Sequence, residues 1–295
     1  MNSRIALLLA ATTSLAAAEP VVVHEWGLIV HTGTSATLES SPPAPITGDI
    51  WGMEDKAPVV YFHGAAVPGD FTVRIPDGIV TTCMPEPDLG GTGYSYATWS
   101  DLRLREPEDI VSGDVLRDSE FEEYWRDVDA LEINRSSDNF GDRFIFYEST
   151  LGNSSILPLT APRGVAAVRM DYSDIEVLLL RADSAIMKVT GLQELTDEHL
   201  LDDGWNELDR EQVRSVLMGW SEGVINPDEF TAFWKTWSRW LLYDSHCTSQ
   251  GAVILAVYVI PPGILDRISQ IYFEPYVDLP VEYNRFLVCA VPISI

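Results

Sequence analysis

Positive charge is what this sequence has least of. Its lysines are Lys56, Lys188 and Lys235, and 19 basic residues stand against 45 acidic ones, a formal net charge of −26. Nucleic acids and anionic membrane surfaces are held by Lys and Arg that neutralise phosphates, so a field of this sign excludes both as partners. A protein partner, a glycan or a cation remains open as the ligand. Cysteine is almost as scarce. Cys83, Cys247 and Cys289 allow at most one disulfide with a thiol left over, and three pairings are open. Cys83 with Cys247 is the favoured pairing, because Cys289 lies in the apolar run Phe286–Val291 and reads as an inert core thiol. No CxxC and no Cys/His ligand spacing is present, which excludes a zinc-finger-type site. Long apolar runs are missing as well. Beyond the N-terminal segment the longest is Ala252–Ile260, far short of the ~20 residues that cross a bilayer. Nor is there a dinucleotide fingerprint, a P-loop, an HExxH helix, a nucleophile elbow or an EF-hand ladder.

The first 18 residues carry the marks of a secretory signal. Arg4 supplies the positive end, Ile5–Ala11 the apolar segment and Ala16-Ala17-Ala18 the small-residue cleavage site. The expectation is a soluble chain from Glu19 onward, delivered to a periplasm or the exterior. No Cys follows the small residues, which argues against a lipid anchor.

Strand-like sequence fills the region 19–190. Phe71, Val73 and Ile75 alternate with polar neighbours, the period of a half-buried strand. Continuous apolar runs at Val59–Phe62, Arg143–Tyr147, Val165–Met170 and Ile175–Leu180 suit strands covered on both faces. Ser40–Pro45 reads as a loop, the Gly-rich stretch Pro85–Thr98 as irregular, and Asp171–Asp174 as a hairpin connection.

From 191 to 295 the pattern changes. Asp209-Arg-Glu-Gln212 resembles a capping box, and Val213, Val216, Leu217 and Trp220 follow at helical spacing up to Gly223. Asn226-Pro-Asp-Glu229 opens a second helix, with Pro at its first position and Glu three residues after the cap. Phe230, Phe233, Trp234, Trp237 and Leu241 form its apolar stripe, and Thr231, Lys235 and Ser238 lie opposite. Strands return at Val253–Ile260 and Arg285–Val291. The expected fold is therefore a β-dominated α+β protein: an antiparallel, sandwich-like core, a C-terminal αα-hairpin, and returning strands packed on the same body.

The best pointer to a site is the tetrapeptide His24-Glu25-Trp26-Gly27, set inside the apolar run Val21–Val30. An ionisable group buried there without a partner costs about 2–7 kcal/mol or more. On a regular strand His24, Trp26, Leu28 and Val30 share one face, and Val23, Glu25, Ile29 and His31 the other. A bulge at Gly27 would be needed to bring His24 and Glu25 together. On the run Val59–Gly64, Val59, Tyr61 and His63 fall together. Should the two strands pair, His24 and His63 approach each other between Trp26 and Tyr61, and Glu25 or Glu148 would complete a metal or acid–base site. The bland alternative makes Glu25 a structural carboxylate paired with an Arg. His246 beside Cys247 is a poor nucleophile–base pair, because adjacent residues rarely face one another. His199 reads as part of an exposed helical turn.

The tetrapeptide and several later pieces resemble a family of exported bacterial proteins that open on His-Glu-Trp-Gly, usually followed by Thr-Phe-Thr. The matching pieces are Pro58–Phe62, Phe71–Gly78, Trp99–Leu104, Arg143–Tyr147 leading to Leu157–Leu159, Trp234–Trp237 and Val257–Pro261. Here Leu28-Ile29-Val30 replaces Thr-Phe-Thr, and Cys83-Met84 stands where an aromatic pair precedes Pro85. The resemblance implies export and the extent of the domain; it implies no activity. The expected function is thus a non-catalytic exported binding or envelope-associated protein, recognising its ligand through Trp26, Tyr61 and loops such as Gly90–Trp99. The alternative is a secreted hydrolase, with His24 and Glu25 as catalytic candidates and, in its metal-dependent form, His24 and His63 as ligands to a divalent metal.

Overall fold

The computed structural model describes residues 18–31, 36–39, 58–107, 120–135, 140–151, 157–160, 166–168, 175–181, 184–189, 194–195, 205–243 and 253–294. The leader before residue 18, the Ser40–Pro45 loop, the Asp171–Asp174 connection, His199, His246 and Cys247 lie outside them, and with Cys247 the favoured disulfide. Up to residue 151 the chain forms β1 (Val21–His31), β2 (Ala36–Glu39), β3 (Val59–Gly64), β4 (Pro68–Arg74), β5 (Gly78–Met84), β6 (Leu89–Gly90), β7 (Tyr96–Arg105), α1 (Glu120–Arg126), β8 (Glu132–Arg135), β9 (Phe140–Asp142) and β10 (Ile145–Leu151). Then come β11 (Leu159–Thr160), β12 (Ala166–Val168), β13 (Val177–Leu180), β14 (Ser184–Val189), β15 (Glu194–Leu195), β16 (Asn206–Glu207), α2 (Arg210–Ser221) and α3 (Pro227–Leu242). The last elements are β17 (Val253–Val259), α4 (Pro262–Ile268), β18 (Gln270–Pro275) and β19 (Val281–Ser294).

The protein is a β-dominated α+β structure with two main sheets. The larger runs β16-β14-β13-β17-β19-β1-β2-β10-β3, with β5 added on β10 and β1 also paired to β3; the smaller runs β18-β4-β7-β8-β9 with β6 on β7. Strand β1 divides two apolar clusters, as the alternation of its side chains requires. Val21, Val23 and Ile29 face the smaller sheet, in one cluster with Phe71, Trp99 and Phe273. Phe62 of β3 bridges the gap, 5.5 Å from the Phe71 ring and 5.2 Å from that of Phe273. Trp26, Leu28 and Val30 face the other way, toward Leu217 of α2 and Phe233 and Trp237 of α3. Both faces of the large sheet are thereby covered, which explains why its strands read as continuous apolar runs.

The helices begin where their capping residues stand. The Asp209 side chain accepts from the backbone N–H of Glu211 and of Gln212, and after Ser221 the chain turns at Gly223 with φ +75°. In α3 the Glu229 carboxylate accepts from the backbone N–H of Asn226 at 2.6 Å. More of α3 is buried than its stripe predicts. Thr236 and Ser238 are also buried, and Ser238 Oγ accepts from Arg210 Nη2 at 3.0 Å. Ser238 therefore belongs to the interhelical contact, not to an exposed face.

Two expectations are corrected, and the condition for bringing His24 and Glu25 together is not met. The pairing is not antiparallel throughout: β1 and β19 run parallel, in unbroken register from Val21↔Val281 to Val30↔Ala290. Two strands far apart in the chain need no hairpin, so nothing local forces them antiparallel. No bulge occurs at Gly27, which pairs with Leu287 in an unbroken register. A Cβ there would instead lie 3.1–3.2 Å from Pro58, so the glycine admits a close neighbour. Finally, the stretch Pro85–Thr98 contains β6 and the start of β7 and is not wholly loop.

Candidate metal centre

Strands β1 and β3 pair antiparallel with His24 opposite Tyr61 and Val22 opposite His63. His24 and His63 are thus diagonal neighbours on one face, and their ring centroids lie 4.5 Å apart. Helix α3 lies across this face. Glu229 and Phe233 are one turn apart on it, just as His24 and Trp26 are two residues apart on the strand below. Phe233 packs on Trp26 with centroids 5.9 Å apart, which sets Glu229 over the imidazoles. Its Oε2 is 2.8 Å from His24 Nδ1 and its Oε1 is 3.1 Å from His63 Nε2. Donor atoms of the three residues all lie within 4.8 Å of one another, and among the described residues this is the one such grouping of His, Cys, Asp and Glu.

Protons in this network can be placed from its chemistry. A carboxylate only accepts, so His63 Nε2–H donates to it. The amide nitrogen of Asn284 lies 3.2 Å from His24 Nε2. Glu229 only accepts, so His24 Nδ1–H donates to it, and with the Asn284 amide nitrogen turned toward Nε2 that atom carries the lone pair. Burial alone would raise the Glu229 carboxyl, but hydrogen bonds from His24 and His63 outweigh it and hold the group below the usual carboxylate range. Glu229 and His24 are buried and His63 is half-buried. A cleft of about 700 Å³ opens alongside, its wall including Val224, Val259, Leu265, Tyr283 and Asn284.

Two imidazoles and a carboxylate suit zinc or another divalent transition ion; calcium and magnesium prefer oxygen alone. Ligands ~2.0–2.1 Å from a tetrahedral zinc stand roughly 3.3 Å apart. The Glu229–imidazole spacings of 2.8 and 3.1 Å would widen slightly, and donor atoms that stand up to 4.8 Å apart would draw together, to admit one.

Glu25 takes no part. Its side chain leaves the opposite face of β1, where Arg285 Nε donates to Oε2 at 2.6 Å and the Tyr147 hydroxyl donates to Oε1. Arg285 also reaches the carbonyl of Ser269 at 3.0 Å and its hydroxyl. Burial alone would lower its pKa, but the Glu25 carboxylate holds the guanidinium above its ordinary value. Glu25 is therefore a structural carboxylate on the face away from the imidazoles, not a catalytic partner of His24. Glu148 lies on β10, outside the donor grouping, so it does not supply the acid either. The aromatic candidates are core residues with 0% exposure. Trp26 and Tyr61 stack at 6.4 Å beneath the helices, while Trp99 stacks on Phe71 between the sheets and donates to the Pro85 carbonyl at 2.7 Å. None offers a surface to a ligand. Cys83 and Cys289 are not bonded to each other. Burial pushes the Cys289 thiol up to about 12 and that of Cys83 to about 11, which leaves both unreactive at neutral pH.

Sequence reasoning missed Glu229 and Asn284. Glu229 was legible as a capping residue, and a signal of its burial was present: 229, 233 and 237 recur at helical spacing, so Glu229 lies on the edge of the apolar stripe. For Asn284 the signal is a parallel between the two strands. Asn284-Arg285 precedes an apolar run just as His24-Glu25 does, and the register aligns them. No protein-family model matches the chain, and no curated protein matches it.

Proposed function

We propose that this chain is an exported protein, periplasmic or extracellular, that binds a divalent transition-metal ion through His24, His63 and Glu229 on a sandwich-like frame. The observation that carries the reading is the convergence of three ligand atoms from three separate elements within 4.8 Å. A carboxylate and two imidazoles brought together at the sheet–helix boundary form an N₂O donor set of the kind zinc accepts. Export and solubility rest on the leader-like first 18 residues and on the acidic composition.

Purified protein is stripped with a chelator, reconstituted with zinc, desalted and assayed for metal. About one equivalent is expected. Glu229→Gln, which keeps an acceptor for the Asn226 N–H, and His63→Ala should each weaken zinc binding at least tenfold. Less than a tenth of an equivalent in the wild type sinks the reading. The cleft that meets the site at Asn284 favours a second reading, a metal-dependent secreted hydrolase. Zinc-loaded wild type would then cleave a panel of activated esters at least tenfold faster than His63→Ala, and equal rates dispose of it.

A further inference from the structure

His24 is already fully engaged. Its Nδ1–H donates to Glu229 and its Nε2 accepts from the Asn284 amide nitrogen, at 2.8 and 3.2 Å. The nitrogen that faces the carboxylate beside His63 is Nδ1, so a cation shared by the three residues meets His24 at a protonated atom. Only an imidazole lone pair ligates a metal, so both rings that donate to Glu229, His24 from Nδ1 and His63 from Nε2, must present that nitrogen deprotonated; His63 does so by carrying its proton at Nδ1 instead. The neutral His24 ring must therefore lose the Nδ1 proton and take one on at Nε2, with no net change in protonation. The new Nε2–H then points at Asn284, and its amide nitrogen, itself a donor, would oppose it. Turning that amide end for end presents the carbonyl oxygen instead and restores the hydrogen bond.

We propose that Asn284 is a positioning residue for the metal centre: its amide supports one tautomer of His24 without metal and, after reversal, the other tautomer with metal bound. This rests on the metal-binding reading above and assigns the behaviour of a residue that ligates nothing. Asn284 is suited to the task in two respects. The parallel register β1–β19 places it directly beside His24, so either end of the amide reaches Nε2 from one backbone position. It is also half-buried and lines the cleft, which leaves room for the reversal. Ligating histidines commonly donate their second N–H to such a partner, and its loss typically costs 10–100-fold in metal affinity.

The test uses the full chain labelled with ¹⁵N-histidine, with two-bond ¹H–¹⁵N correlation spectra before and after zinc. A His24→Gln spectrum assigns the ring. His24 should be protonated at Nδ1 without metal and at Nε2 with it. Asn284→Leu, which neither donates nor accepts, should bind zinc 10–100-fold more weakly. Asn284→Asp supplies only an acceptor, so it should restore affinity to the wild-type level or above and favour the Nε2–H tautomer even without metal. A purely structural asparagine would not be rescued in this way. Wild type that binds zinc while keeping Nδ1–H, or Asn284→Leu that binds as tightly as wild type, overturns this inference alone. Wild type that binds no zinc overturns the metal-binding reading itself.

Discussion

Replacing Glu25 by Gln tests which half of the His-Glu pair is structural. The substitution preserves shape and leaves an oxygen to accept from Tyr147, but it removes the charge opposite Arg285. Side-chain exposures at this pair are 0% for Glu25 and 6% for Arg285, with Nε 2.6 Å from Oε2, so solvent screens little of the interaction. Removing one partner of a buried pair typically costs about 3–5 kcal/mol, because the other charge stays buried and uncompensated. Asp266 is 3.4 Å from Arg285 Nη1 but 84% exposed, so it offsets only a part, and Ser269 keeps two donors occupied. We expect the lower end, about 3 kcal/mol, read as a shift of the urea midpoint at constant slope. The double variant Glu25→Met, Arg285→Met should recover most of that loss, since apolar replacement of a whole buried pair is often neutral or better. Metal-free protein at neutral pH is the sample, followed by tryptophan fluorescence. A single-variant cost below ~1 kcal/mol, or no recovery in the double variant, refutes the account of the pair. Zinc affinity should stay within threefold of wild type, because Glu25 leaves the opposite face of β1. A folded Glu25→Gln that has lost its zinc would overturn the assignment of the site.

Three further outcomes follow from the same structure. Burial lowers the His31 pKa below 6.5 even though Nδ1–H donates to the Leu159 carbonyl. The unfolded chain therefore takes up that proton first, and the associated stability is present above about pH 6.5 and lost as pH falls below it; His31→Gln should flatten the urea midpoint between pH 7.5 and 5.5, and an unchanged slope counts against this. Gly64, next to His63, has φ +74°, and a Cβ there would lie 2.2 Å from the Pro20 carbonyl oxygen. Gly64→Ala should destabilise by at least about 1–3 kcal/mol from backbone strain alone, with a melting point equal to wild type as the contrary result. Cys289 should resist a disulfide-exchange thiol reagent in native protein and react at once in denaturant; rapid native labelling would contradict its burial.

Much of the frame was legible because it is written in short-range periodicity. The two-residue repeat on β1 separates His24 and Trp26 from Glu25 before any partner is known. The pairing of β1 with β3 then brings His63 to His24, as the alternation of Val59, Tyr61 and His63 allows. Asp209 and Asn226 marked both helix starts, since a cap acts within one turn. Helices α1 and α4 were not foreseen; each is only seven residues long, too short to display a helical period.

What the sequence determined by itself is which side chains share a face and where helices begin, because sterics and capping act between near neighbours. What only the tertiary structure decided is who meets whom across the chain. Glu229 reaches His24 over a separation of 205 residues, and the parallel register hands Asn284 to His24 and Arg285 to Glu25. No local pattern specifies such meetings. They are fixed when both faces of one strand are buried at once, by helices on one side and a second sheet on the other.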